Sequence, residues 1–355
     1  MARIAIITLQ PHTNYGGVIQ AYALQTVLEK KGHMVEIIIP KDIESMLPYF
    51  HGMNKDDVKT IKQHTDRFID QYLKTRDINF ADISKNDYDA YVVGSDQIWR
   101  YMCVKYMIGE MEDVFLKFTD GWDVKRIAYA PSFGLDTWEA SEELIPEISR
   151  LLAQFDAVSV RESSGVDLCK NVLGRNDAVQ ALDPTLLLER TDYEMLIDNC
   201  KTQPLAGDAA CYVLGFDDEK ENLISTVCEA KQLTPFYMQS KVENINATIE
   251  ERIQQPLEQW LRSFRDSKMV ITDSFHATVF SIQFHRPFIV TGNSTRGIAR
   301  LESILKALGL EKHLCFTAAD FDPNYSYEIP DEAYERLTKL KLSSDEFLSS
   351  TLNFL

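Results

Sequence analysis

His276 lies in the run ITDSFHATVFSIQFHRPFIV at 271–290, directly after an apolar stretch and where a helix should begin. An imidazole titrates near neutrality, so it can take or give a proton there, or hold an anionic oxygen as imidazolium. The place adds to the side chain. The first N–H groups of a helix point outward with partial positive charge and favour anions, and Ser274 adds a hydroxyl beside them. A lone histidine in apolar surroundings is more often a packed structural residue, and only its position at a strand-to-helix turn argues for chemistry. Arg161 ends another apolar stretch, 157–160, ahead of Glu162-Ser163-Ser164-Gly165. Its forked guanidinium suits a carboxylate or a phosphate; the structural alternative is a salt bridge to Glu162 or Asp183. Arg296, in the loop 292–297, and Arg300, one turn on, are further candidate cations.

Towards the N-terminus, NYGGVIQAYALQ at 14–25 is a second strand–loop–helix turn. Its Gly16–Gly17 pair lets backbone approach a ligand closely, and Asn14 could help cradle a phosphate or a sugar. The spacing is neither a dinucleotide fingerprint nor a Walker loop. Ser95-Asp96-Gln97 with Trp99 offers hydrogen bonds and an aromatic face suited to a sugar ring, or else a polar turn with a packing tryptophan. Glu243 and Glu251 have a spacing seen in some glycosyltransferases, but among 54 acidic residues such spacings arise by chance. No HExxH or EF-hand pattern is present, and no metal is expected. The six cysteines are scattered without a CxxC pair and read as reduced thiols.

The elements that position these residues alternate between strands and amphipathic helices, the pattern of parallel α/β sheets. Strands are expected at 3–9, 35–39, 88–93, 126–130, 157–160 and 179–182, and again at 210–216, 234–238, 268–272 and 287–290. Each delivers small or polar residues at its C-terminal end, where open α/β sheets place ligands. A chain of 355 residues is long for one core. The expected fold is therefore α/β with two Rossmann-like domains facing across a cleft, as in glycosyltransferase B proteins. The first domain should span 1–198, with a helical insertion at about 42–86. A linker at 199–208 and a second domain at 209–330 follow, and a C-terminal helix, 331–355, is expected to pack back on the first domain.

The net charge of −17 argues against non-specific nucleic-acid binding and against a polybasic membrane anchor. The opening MARIAIITLQPH reads as a first strand and not a signal peptide. No run approaches the roughly 18 apolar residues of a transmembrane segment. A cytoplasmic protein is expected.

Seven segments in order resemble the polysaccharide pyruvyl transferase family: NYGGVIQAYALQTVLEKKGHMVEII, YVVGSDQIW, KRIAYAPSFG, SVRESSG, the DPT at 183–185, ITDSFHATVFSIQFHRPFIV and STRGIARL. The resemblance runs from residue 3 to about residue 310. It implies a glycosyltransferase-B-like fold and transfer of pyruvate from phosphoenolpyruvate onto a sugar, giving a cyclic ketal in a surface polysaccharide such as an exopolysaccharide. The family's histidine and arginine would fall on His276 and Arg161. Ser274, Arg296, Arg300, Asn14, Gly16 and Gly17 would then serve the donor, and Ser95, Asp96, Gln97 and Trp99 the acceptor. Many members carry Arg-Leu before the histidine, where this chain has Ser274-Phe275, so one cation is missing and Arg296 or Arg300 could replace it.

The implied scheme needs no cofactor beyond the phosphoenolpyruvate substrate. Its acceptor is a saccharide or a lipid-linked saccharide, the latter compatible with peripheral membrane association. Acceptor choice is expected to reside in 42–86 and 101–122. Two other readings compete. A nucleotide-sugar glycosyltransferase would need a ribose-binding carboxylate in the second domain; Asp273 could be misread as one, but the sequence carries no clear signature of it. A non-catalytic saccharide-binding protein would account for the Ser274-Phe275 departure.

Overall fold

A computed structural model describes residues 1–40, 53–242, 244–292 and 298–352. The chain divides into two compact units, Met1–Leu187 with Leu340–Leu355, and Leu188–Lys339.

The first unit is built on seven parallel strands: β1 (Arg3–Ile7), β2 (Met34–Ile39), β3 (Thr75–Asp77), β4 (Ala90–Val93), β5 (Lys125–Ala128), β6 (Ala157–Val160) and β7 (Val179–Gln180). Their order is β3-β2-β1-β4-β5-β6-β7. The central strands read as unbroken apolar runs because both sheet faces are covered, and β4 is buried at every position. The stretch expected as a helical insertion instead extends this sheet. Helix Lys55–Tyr72 carries the chain towards β3, whose Thr75–Asp77 pair with Ile37–Ile39 of β2. That helix starts where the Asn54 side chain accepts from the Asp57 amide, and it buries Val58, Ile61, Thr65 and Phe68 as one stripe. Phe68 and Tyr72 meet Tyr22 of the helix Tyr15–Lys30 edge-on. The beginning of the expected insertion, 42–52, lies outside the described residues.

The second unit has four parallel strands, β8 (Ala209–Tyr212), β9 (Pro235–Tyr237), β10 (Met269–Thr272) and β11 (Phe288–Val290), in the order β11-β10-β8-β9. The boundary falls at Leu187–Leu188, ahead of the stretch 199–208 read as a linker. The intervening helix Arg190–Asp198 belongs with the second unit because its Tyr193 packs edge-on against Phe280 at 4.9 Å. Gln283 also donates to the Leu188 carbonyl at 2.8 Å. Residues from Leu340 onward count with the first unit. There Lys31 pairs with Asp345 at 2.5 Å, and the Leu182 amide donates to Ser344 Oγ at 3.0 Å. No helix among the described residues is long and apolar enough to cross a membrane.

Helix Asp218–Lys231 closes on Gln232 in the left-handed conformation, φ 55° and ψ 48°. A side chain there crowds the following carbonyl, and glycine relieves it. Gln232→Gly is expected to stabilise the protein by up to about 1 kcal/mol, the gain exceeding glycine's extra unfolded-chain entropy. Urea unfolding reads this directly, and a loss of stability would contradict the assignment of strain to this cap.

His313 is fully buried among Phe288, Tyr325 and Tyr327, and its Nδ1–H donates to the Phe288 carbonyl at 2.9 Å. Burial pushes its pKa down from 6.5 to about 4, with the carbonyl bond working the other way. The folded chain thus refuses a proton that the unfolded chain takes up below about pH 6.5. Its contribution is complete above pH 6.5 and is lost as pH falls towards 4, by about 3 kcal/mol at most. His313→Phe should flatten the pH dependence of unfolding between pH 4 and 6.5. Identical slopes in the two proteins would rule this origin out.

Candidate functional site

In the first unit, strand order reverses between β1 and β4, the switch point where open α/β sheets bind ligands. The loops after those two strands carry Asn14, and Ser95 and Asp96, whereas Gly16 and Gly17, read as part of a loop, are buried in the first turn of the helix that follows β1. Asn14 caps helix Tyr15–Lys30, its side chain accepting from the Gly17 amide at 3.3 Å. β4 is followed by Gly94, φ +134°, where an added Cβ would lie 2.0 Å from the Tyr129 carbonyl oxygen, so only glycine fits. Ser95 is tied to the helix through its amide, which donates to Gln20 Oε1 at 3.0 Å. Gln20 in turn donates to Thr8 Oγ1 and to the Gly17 carbonyl, binding the ends of β1 and β4 to the start of the helix.

Arg161, from the end of β6, runs into this switch point and is 4% exposed. Its Nη1 donates to Asp183 Oδ2 at 2.8 Å and its Nη2 to Asp96 Oδ1 at 3.2 Å. Burial opposes the guanidinium charge, but Asp96, Asp183 and Glu162 outweigh it and raise the pKa above the usual arginine value. Asp183 is also held by Thr185, whose amide and hydroxyl both donate to Oδ1. Ser95 Oγ lies 3.1 Å from Asp183 Oδ2. Glu162 is buried as well, accepting from Ser132 Oγ at 2.9 Å and the Phe133 amide at 3.0 Å. Three buried carboxylates thus surround one guanidinium.

The structure changes two expectations here. Trp99 does not present a face to a sugar ring: it is 1% exposed, stacks on Phe115 at 4.7 Å and donates Nε1–H to the Val114 carbonyl. The segment after it supplies that packing, with Val104, Met107, Met111, Val114 and Phe115 all buried in the core. Gln97 accepts from Arg100 at 3.1 Å and remains partly accessible. His12, which the sequence reading passed over, lies in the loop after β1 and is 5% exposed. Burial, then Lys62, push its pKa down to about 3, with Asp96 acting the other way, so its imidazole is neutral. Its only sequence signal was its place after the first strand.

In the second unit the switch point lies between β8 and β10. β10 runs through Asp273 and Ser274 into helix Phe275–Gln283, whose first turn has no side-chain cap. His276 is the second residue of this helix and is 6% exposed, with the Phe275 ring edge-on at 5.4 Å. Ser274 turns its amide to Thr272 Oγ1 at 3.0 Å, while its carbonyl receives the Thr278 amide and hydroxyl. Arg300, second in helix Ala299–Leu308, is also buried, and that helix packs against the one carrying His276. Arg296 and Glu243 lie outside the described residues.

Asp273 has a structural employment that sequence alone did not reveal. Its two oxygens accept from the amides of Leu214 and Gly215 at 2.7 and 2.9 Å, and Lys220 Nζ lies 3.3 Å away. It pins the loop after β8 to the end of β10. With its side chain fully buried, it is poorly placed to receive a ribose.

S. aureus MnaA in a co-structure with UDP aligns with 100% of this chain and 98% of its own, at 12% identity and a TM-score of 0.50. Arabidopsis thaliana UGT89C1 complexed with UDP-L-rhamnose aligns over 99% and 93%, at 10% identity and a TM-score of 0.48. Likeness at such identity concerns the fold alone, which is α/β and glycosyltransferase-B-like, with two Rossmann-like units on parallel sheets. No curated protein matches the chain. Residues 14–295, which hold Asn14, Asp96, Arg161 and His276, match the family model described as polysaccharide pyruvyl transferase. The chain is a transferase and belongs to the polysaccharide pyruvyl transferase family.

Proposed function

We propose that the protein moves pyruvate from phosphoenolpyruvate onto two hydroxyls of a saccharide, forming a cyclic ketal in the biosynthesis of a surface polysaccharide. The observation that carries this reading is His276, buried in the uncapped first turn of a helix entered directly from β10, within the stretch matched to the family. Phosphoenolpyruvate carries a carboxylate and a phosphate, and the positive end of a helix beside Ser274 suits such an anion. Arg300 is the described cation assigned to it, in place of the arginine expected before the histidine.

The reaction balances without an oxidant. The donor methylene gains a proton, one sugar hydroxyl adds to the adjacent carbon and loses its proton, phosphate leaves with the C–O electron pair, and the second hydroxyl closes the ring and loses its proton. His276 is assigned to proton transfer in this sequence, typically a contribution of 10²–10⁴-fold. The scheme calls for no metal or organic cofactor. It assumes a cytoplasmic supply of phosphoenolpyruvate and a saccharide or lipid-linked saccharide acceptor, the latter bringing the protein to a membrane surface peripherally.

Calorimetric titration with phosphoenolpyruvate tests the reading. Saturable binding by the wild type, weakened at least tenfold in Arg300→Ala, is the expected result. No binding with or without saccharides present, alongside saturable binding of UDP, would replace it with nucleotide-sugar transfer.

A further inference from the structure

Phe216 and Tyr237, both in the second unit, are large aromatic side chains left in the open, 46% and 47% exposed. Their rings meet edge to face with centroids 5.7 Å apart. They come from neighbouring strand ends. Tyr237 closes β9 in register with Cys211 of β8, and Phe216 lies in the loop that β8 enters. This is the C-terminal end of the parallel sheet, where open α/β sheets place ligands. Single exposed apolar side chains need no explanation, but a touching aromatic pair at a ligand-binding strand end marks a contact surface.

The loop under Phe216 is fixed on several sides. Asp273 accepts from the Leu214 and Gly215 amides, the Val213 carbonyl accepts from Gln239 Nε2 at 3.0 Å, and Lys220 Nζ donates to the Gly215 carbonyl. The same Asp273 clamp ties this loop to the turn that opens the His276 helix. Rings held in place beforehand lose little freedom when a ligand settles on them. The surrounding charge selects the ligand. Asp217 follows Phe216 directly, and Asp218, Glu219 and Glu221 occupy the first turn of the next helix, all four exposed. The cation among them, Lys220, is buried and committed to Gly215 and Asp273. Phosphoenolpyruvate or a nucleoside diphosphate is repelled by such surroundings. A neutral saccharide meets acceptors for its hydroxyls and apolar rings for its C–H faces.

We propose that Phe216 and Tyr237 form a stacking platform for a neutral sugar ring of the acceptor, a ring other than the one that receives pyruvate. The proposal rests on the saccharide acceptor of the reading above and not on the identity of the donor. It supplies the aromatic face that was expected of Trp99 and that the burial of Trp99 withholds. The protein therefore binds a saccharide of several residues more tightly than a single sugar, and prefers uncharged ones.

The test is calorimetric titration of the full chain with neutral tetrasaccharides (cellotetraose, maltotetraose, mannotetraose and galactotetraose), with tetragalacturonate and UDP alongside. The wild type should bind at least one neutral tetrasaccharide saturably. Phe216→Ala and Tyr237→Ala should each weaken that binding about tenfold, while Tyr237→Phe, which keeps the ring, should stay within about threefold. Phosphoenolpyruvate affinity should stay within about twofold in all three variants. Both side chains are nearly half exposed, so the truncated proteins should unfold close to the wild-type urea concentration. If Phe216→Ala does not fold, Tyr237→Ala decides. A wild type that binds none of the neutral tetrasaccharides overturns the proposal, as do truncations that bind them as the wild type does. So does a matching loss of phosphoenolpyruvate affinity, which would make the rings a structural support. UDP or tetragalacturonate bound as tightly, and lost in the same variants, overturns it by giving the rings to a nucleobase or an anionic sugar. Phosphate release is read separately. A wild type that binds saccharide through Phe216 but releases no phosphate from phosphoenolpyruvate with it defeats the ketal reading and leaves the platform standing.

Discussion

Arg161→Ala is expected to destabilise the protein by about 3–5 kcal/mol, the range for removing one partner of a buried ion pair. The reason is what the substitution leaves behind. Asp96 and Asp183 are 3% and 1% exposed, and each would lose its guanidinium partner. Their mutual repulsion, with Glu162 nearby, would then act without this cation between them. Arg161→Lys should recover part of the loss, since an ammonium supplies the charge but cannot fork between two carboxylates. The check is urea unfolding of the three proteins. Wild-type stability in Arg161→Ala would show that the carboxylates do not depend on this cation.

His276→Ala is expected to reduce turnover by about 10²–10⁴-fold, the usual worth of positioned proton transfer. Its effect on folding should be smaller, because the helix around it is anchored by Phe280, packed against Tyr193, Trp260 and Phe264. His276→Gln separates two roles for the side chain. Glutamine can hold an anionic oxygen by hydrogen bonding but cannot titrate, so it should rescue phosphoenolpyruvate binding and not turnover. Turnover within tenfold of the wild type in both variants would assign proton transfer to another group.

Much of this site was legible in the chain because its signals are local. The runs that became β1, β4, β6 and β10 are apolar because they are buried on both faces, and the residues just past them are small or polar because a turn must follow. Asn14, Ser95, Asp96, Arg161 and His276 could therefore be assigned to strand ends before any coordinates. β3 was not legible: Thr75-Arg76-Asp77 is exposed or half-buried and carries no apolar pattern, so its pairing with β2 alone makes it a strand. The unit boundary was missed for a related reason. The polar stretch 199–208 looks like a linker, but Gln203 and Thr202 are bonded to Gln259 and Arg262 of the same unit.

What the sequence by itself determined was the class of fold, the family and the strand ends at which chemistry belongs, all properties of neighbouring residues and short spacings. What only the tertiary structure decided was how those ends are used. Arg161 meets carboxylates 65 and 22 residues away, and that distant pairing turns a candidate anion-binding arginine into the centre of an acidic cluster. Trp99 became a core residue and Asp273 a structural clamp by the same kind of contact. Charge and burial at a point depend on everything packed around it, and packing joins residues that no local pattern relates.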